Sequence, residues 1–158
     1  RAFDIARGGK IASKLVIREV WLMITLQEKV RFVETDMMGV VHHSNYFRWF
    51  EMGRVEYLRQ ADVLLTELMA EGIVFPITHV DCQYRASAKF DDIILIETTL
   101  EEVSPVKMLF TYQVVRKEDK VLLATGSTQN VFTDTSGKIV RLSAKYYDKL
   151  QTSCGRKK

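Results

Sequence analysis

One run constrains this chain more than any other: Asn45-Tyr46-Phe47-Arg48-Trp49-Phe50-Glu51-Met52-Gly53-Arg54-Val55-Glu56-Tyr57-Leu58, continuing to about Gln60. Its first half is apolar nearly all round, whereas its second half carries Arg54, Glu56, Arg59 and Gln60. A helix of that character is buried rather than laid on a surface, so the rest of the chain must wrap it. Gly53 in mid-helix costs about 1 kcal/mol against alanine, which points to close approach of a neighbouring strand. Glu51 and Arg54, three apart, are placed to pair along the helix.

The remainder of the chain is mostly of strand period. In a first segment Ile24, Leu26, Val30 and Phe32 share a face opposite Thr25, Gln27, Lys29 and Arg31. A second, from about Ile73 to Arg85, puts Val74, Val80, Cys82 and Tyr84 on one face. A third covers Ile93 to Val103 and stops at Ser104-Pro105; a fourth aligns Met108, Phe110, Tyr112 and Val114. The fourth turns at Lys117-Glu118-Asp119-Lys120 into a fifth, Val121 to Phe132, making a hairpin. Asp62 reads as the N-cap of a short helix reaching Ala70 and stopped by Gly72, and a last helix spans Ser143 to Leu150. A strand, a long buried helix and four long antiparallel strands make an α+β protein: a twisted five-stranded antiparallel sheet wrapped around one central helix. That is the hot-dog arrangement. The outer sheet face still carries apolar residues, so oligomerisation is expected to bury them.

Charge needs care. The chain has a formal net charge of +3, but residues 1–22 carry +3 and the last six residues another +3, leaving −3 on residues 23–152. The body is therefore mildly acidic, and the overall sign is no argument for nucleic acid. Met23 is a natural start for the folded part. Residues 1–22 are expected to be an extension outside the fold, vector-derived or read-through, with the domain at 23–152 and a basic tail at 153–158. No apolar run reaches the ~20 residues of a membrane span. Two cysteines, Cys82 and Cys154, argue against a disulfide framework and fit a reducing, cytoplasmic setting.

Chemistry concentrates at the junction before the long helix, where Glu34, Thr35, Asp36, Gly39, His42, His43, Ser44 and Asn45 fall together. Free N–H groups point out of a first helical turn, and the helix dipole adds roughly half a positive charge there. Such a place stabilises an oxyanion. Gly39 would let the backbone approach a ligand, and a carboxylate upstream can act as nucleophile or as base for water. A loop acid is also commonly a mere cap or turn residue, and the residues alone leave both readings open.

The run from Val30 to Phe47, with Thr35-Asp36, Gly39 and His43 at its centre, resembles the signature of the 4-hydroxybenzoyl-CoA thioesterase family, in the branch that includes the Tol-Pal-associated acyl-CoA thioesterases. The stretch Val80-Asp81-Cys82-Gln83-Tyr84-Arg85-Ala86-Ser87-Ala88-Lys89-Phe90-Asp91-Asp92 resembles that family's lead into its third strand. The likeness runs from about Thr25 to Gln151; Ala88-Lys89 departs from relatives that have proline nearby. It implies an acyl-CoA substrate and no cofactor or metal, CoA being part of the substrate. It makes Asp36 the catalytic acid and the His43 N–H the donor that polarises the thioester carbonyl, with the His43 side chain orienting Asp36 or bonding substrate. The acyl group would meet Val41, Asn45 and Tyr46, and Arg85, Ser87 and Lys89 would face the CoA phosphates. Homodimers or homotetramers are implied as well.

Other candidates are weaker. His42 is expected to point away from the site, and His79 lies on the polar side of its strand with Asp81 and Gln83. Three histidines without ligand spacing do not make a zinc site. Glu51 lacks the His-Gly-Gly signature that precedes a helix-borne catalytic carboxylate. An acyl carrier protein or 1,4-dihydroxy-2-naphthoyl-CoA is an alternative substrate. A dehydratase would need an absent Asn-Pro motif, and a non-catalytic acyl-CoA-binding domain is the alternative of another class.

Overall fold

The computed structural model describes residues 22–154. Five strands, β1 (Met23–Lys29), β2 (Ile77–Tyr84), β3 (Ile93–Val103), β4 (Lys107–Arg116) and β5 (Leu122–Val131), form one sheet in the order β1-β3-β4-β5-β2. Every pairing is antiparallel. A long helix, α1 (Asn45–Gln60), lies on one face, chiefly over β1 and β3. Two shorter helices, α2 (Leu65–Ala70) and α3 (Ala144–Ser153), complete the chain.

Alternation decides which sheet face holds the helix. Ile94, Ile96, Thr98 and Leu100 of β3 and Met108, Phe110, Tyr112 and Val114 of β4 are buried beneath Tyr46, Trp49, Phe50, Tyr57 and Leu58. Phe50 stacks on Tyr112 with ring centres 4.4 Å apart, and Tyr57 meets Phe110 edge-on. The close approach read from Gly53 is present: a Cβ there would overlap Thr98 Oγ1 and lie 3.1 Å from Ile96 Cγ2. Gly53→Ala is therefore expected to lose about 1–2 kcal/mol net, overpacking of up to about 3 kcal/mol outweighing the roughly 1 kcal/mol gained in helix propensity. Chemical denaturation checks this; a variant more stable than the parent would contradict the packing described.

Several expectations need correction. The first strand ends at Lys29, because the Val30 backbone pairs instead with Asp91 and Asp92 of the loop before β3. Phe32 then begins a 3₁₀ turn (Phe32–Glu34) and is 75% exposed rather than sharing a face with Ile24. The second strand starts at Ile77, after Pro76, which has no N–H to offer a ladder. Its Val80 and Tyr84 face is largely open, because β2 is a sheet edge and α1 lies chiefly over β1 and β3, with Tyr46 reaching Tyr84. The outer sheet face is polar along its middle rows, where Glu97, Gln113 and Thr125 and then Thr99, Thr111 and Ser127 stand in register.

Asp62 is not a cap. Its φ of 60° ends α1 in a left-handed turn, and its carboxylate takes Lys149 Nζ at 2.7 Å. Glu51 is exposed without an ion pair to Arg54 among the described residues, since Arg54 turns inward and donates to the Tyr112 hydroxyl at 3.4 Å. Leu22, Ser153 and Cys154 belong to the fold: Leu22 N–H bonds the Ser153 carbonyl, α3 runs through Ser153, and Cys154 is buried. The rest of both expected extensions, 1–21 and 155–158, lies outside the described residues. No disulfide joins Cys82 and Cys154, and the Cys154 thiol donates to the Glu101 carbonyl at 3.3 Å. Among the described residues no helix is long and apolar enough to cross a membrane.

Candidate active site

The segment between β1 and α1 folds into a small closed loop. Thr35 and Val41 pair as an antiparallel bridge, Asp36 N–H bonds the Val40 carbonyl and Gly39 N–H bonds the Asp36 carbonyl, both at 2.9 Å. The Asp36 carboxylate accepts the Met38 N–H at 2.8 Å, an Asx turn that fixes the side chain on its own loop. Gly39 has φ +74°, and a Cβ there would meet nothing within 4 Å. Glycine is thus required by the left-handed turn itself rather than by a close backbone approach. Met37 and Met38 stand exposed at the tip.

Beneath the loop sits an acid that was not singled out from the sequence. Glu34 is 4% exposed; its carboxylate takes the Arg31 N–H at 2.8 Å, the Arg31 guanidinium at 3.2 Å and the Trp49 indole N–H at 3.2 Å. Burial pushes its carboxyl up, but these donors together outweigh burial and hold it below the usual value. Its carbonyl takes the His42 N–H at 2.8 Å and Asn45 Nδ2 at 2.9 Å. Glu34 therefore ties the loop to α1, while Asp36, two residues on, is left for the loop surface.

Val41 N–H bonds the Ala88 carbonyl, which brings the segment after β2 against the loop. Between them lies a cleft of about 210 Å³ lined by Val41, His43, Tyr46, Tyr84, Arg85, Ala86 and Ser87. Five of the residues singled out from the sequence, Val41, His43, Tyr46, Arg85 and Ser87, meet here. Asp36 and Gly39 stand on the adjoining loop. Asn45 does not line the cleft: it is buried, and its amide is spent on the Glu34 and His42 carbonyls. Lys89 is exposed in the following loop and is not a lining residue either.

His43 lies two residues before α1, ahead of the capping Ser44, and its N–H makes no hydrogen bond among the described residues. A free donor at a helix N-terminus, in a cleft beside a carboxylate-bearing loop, is the arrangement that polarises a carbonyl. His42 turns to Ser44, with Nδ1 2.8 Å from the Ser44 hydroxyl, and packs its ring on His43. Tyr84, missed as a site residue, donates its hydroxyl to the His43 carbonyl at 2.9 Å. Burial first, and the neighbouring Cys82 thiol next, push the Tyr84 phenol up, so it stays a donor. His79 lies elsewhere, on the outer sheet face, 3.5 Å from the Asp81 carboxylate to which Ser127 also donates.

With this geometry in place, the family model of the thioesterase-like superfamily matches residues 30–150. The chain belongs to that superfamily. The acyl-CoA thioester hydrolase YbgC of Escherichia coli O6:H1 is 32% identical over 94 residues, 60% of this chain and 70% of that protein. Among solved structures, a hypothetical protein from Thermus thermophilus aligns with a TM-score of 0.79 and 33% identity over 85% of this chain and 100% of that one. A DHNA-CoA thioesterase from Staphylococcus aureus aligns with a TM-score of 0.77 and 27% identity over 82% of this chain and 87% of that one. The hot-dog fold expected from the strand and helix pattern is the fold of this family member.

Proposed function

We propose that this thioesterase-family protein hydrolyses an acyl-CoA thioester to the free acid and CoA, with Asp36 as the reacting carboxylate. The observation that carries the reading is the free His43 N–H at the head of α1, in a cleft beside the Asp36 loop. Asp36 either takes a proton from water as it attacks the carbonyl or attacks it directly, giving an acyl-aspartyl anhydride that water then cleaves. In both routes the carbonyl oxygen becomes an oxyanion facing the His43 N–H, and CoA leaves as the thiolate and is protonated. The His43 ring, at the cleft wall, orients Asp36 or bonds the substrate. Arg85 and Ser87 at the rim, with Lys89 beyond, offer contacts for the CoA phosphates.

A homodimer or homotetramer in the cytoplasm completes the reading. The β2 edge leaves one row of backbone groups unpaired beside exposed Ile77, Val80 and Tyr84, with Phe47 and Met52 of α1 also exposed. A second copy could cover that edge. Likeness to a DHNA-CoA thioesterase keeps an aromatic acyl group among the substrates to test. Thiol release from a panel of aliphatic and aromatic acyl-CoAs, and from acyl carrier protein thioesters, is the experiment. Turnover of at least one CoA ester is expected. Turnover of carrier-protein esters alone would move the substrate class, and binding without turnover would favour a non-catalytic acyl-CoA-binding domain.

A further inference from the structure

This inference rests on the reading above, in which the His43 N–H receives the oxyanion, and concerns what aims that N–H. His43 stands between two planar peptide units. The unit before it carries the His42 carbonyl and the His43 N–H in one plane. That carbonyl accepts the Asn45 backbone N–H at 3.0 Å and Asn45 Nδ2 at 3.3 Å. The same Nδ2 also reaches the Glu34 carbonyl at 2.9 Å, so the Asn45 amide bridges the loop and the peptide that bears the free donor. The unit after His43 carries the His43 carbonyl, which accepts the Tyr84 hydroxyl at 2.9 Å and, at a longer 3.4 Å, the Tyr46 N–H.

Neither side chain behaves as its position alone would suggest. Asn45 is the first residue of α1, after the cap Ser44, and an asparagine at a helix start commonly accepts from first-turn N–H groups through its oxygen. Asn45 instead donates backwards to two carbonyls, and at 8% exposure it does so away from water. Tyr84, at the end of an edge strand, reaches across the cleft to a backbone oxygen while its ring stands edge-on to Tyr46 at 5.1 Å.

We propose that Asn45 and Tyr84 are positioning residues that clamp the two peptide planes flanking His43 and so fix the direction of the N–H between them. Two consequences follow from peptide chemistry. Fixing both planes removes the rocking that would swing the N–H off the carbonyl oxygen, and small misplacements are costly to rate. Donors on the His42 carbonyl also polarise that amide and strengthen its N–H as a donor. Neither role requires contact with the reacting atoms.

The test compares the parent with Tyr84→Phe and Asn45→Ser by steady-state kinetics. It adds infrared spectra of a bound acyl-CoA analogue whose thioester sulfur is replaced by CH2 and whose carbonyl is ¹³C-labelled. Tyr84→Phe removes one oxygen from a half-exposed ring and should leave the fold intact. It is expected to lower kcat about tenfold with KM within about twofold, and Asn45→Ser by up to roughly a hundredfold. Both are expected to move the bound carbonyl stretch towards its free value. If Asn45→Ser fails to fold, Tyr84→Phe decides alone. Parental kcat in Tyr84→Phe, or a lowered kcat with the carbonyl stretch unmoved, overturns the clamp. Either result leaves the Asp36 reading standing if Asp36→Asn is inactive.

Discussion

Asp36→Asn is expected to lower thioester hydrolysis about 10³-fold while leaving the fold unchanged. A positioned carboxylate that takes or shares the reacting proton contributes roughly 10²–10⁴ in rate, and an amide can neither attack nor accept that proton. The structural role of Asp36 is separable from the chemical one. Its carboxylate oxygen accepts the Met38 N–H, and an asparagine oxygen accepts the same bond, so the turn closed by Gly39 survives. Thermal melts and size-exclusion profiles should therefore coincide for parent and variant. A melt that falls with the activity would assign Asp36 to the loop's stability instead.

Glu34→Gln is expected to do the opposite. The Glu34 carboxylate is buried against Arg31 and Trp49, and its charge satisfies donors that a neutral amide satisfies only in part. Trp49 and the Arg31 guanidinium can still donate to a glutamine oxygen, but the amide nitrogen then faces the Arg31 backbone N–H, donor against donor. Hydrogen bonds to charged groups are worth about 1.5–3 kcal/mol, so a loss of roughly 2–3 kcal/mol is expected, lowering Tm by about 5–10 °C. The pH dependence follows from the direction of the shift. The folded-state value lies below the ordinary one, so Glu34 contributes stability fully above the unfolded value of about 4.3 and loses it as pH falls through the folded value. The stability gap between parent and Glu34→Gln should thus be widest at neutral pH and close in acid. A gap independent of pH would mean that the charge is not what holds the loop.

These two acids mark how far the sequence could be read. Residues 34 and 36 are both loop acids before a helix. What separates them is Arg31, three positions before Glu34, together with Trp49, fifteen positions on, whose donors turn one carboxylate into a buried anchor. Family likeness picked Asp36 without those contacts. β3 and β4 were legible to the residue face, because a row such as Met108, Phe110, Tyr112 and Val114 is packed under the helix and its period reports its burial. β2 carries the same kind of row in Val80, Cys82 and Tyr84, yet that face is open. Period two says which side chains share a face, not what covers it. Gly53 was read correctly because only a missing side chain lets α1 meet Thr98. Tyr84 escaped because its partner is a backbone carbonyl across the cleft, which leaves no mark in either segment.

The most direct test is single-turnover CoA release, with enzyme in excess over an acyl-CoA that the panel identifies, for the parent, Asp36→Asn and Glu34→Gln at equal concentrations of folded protein. Excess enzyme removes product release from the observed rate, so the chemical step is read alone. Expected is a rate for Glu34→Gln within about tenfold of the parent and a rate for Asp36→Asn lower by about 10³. Equal rates for the parent and Asp36→Asn would contradict the assignment of Asp36 as the reacting carboxylate.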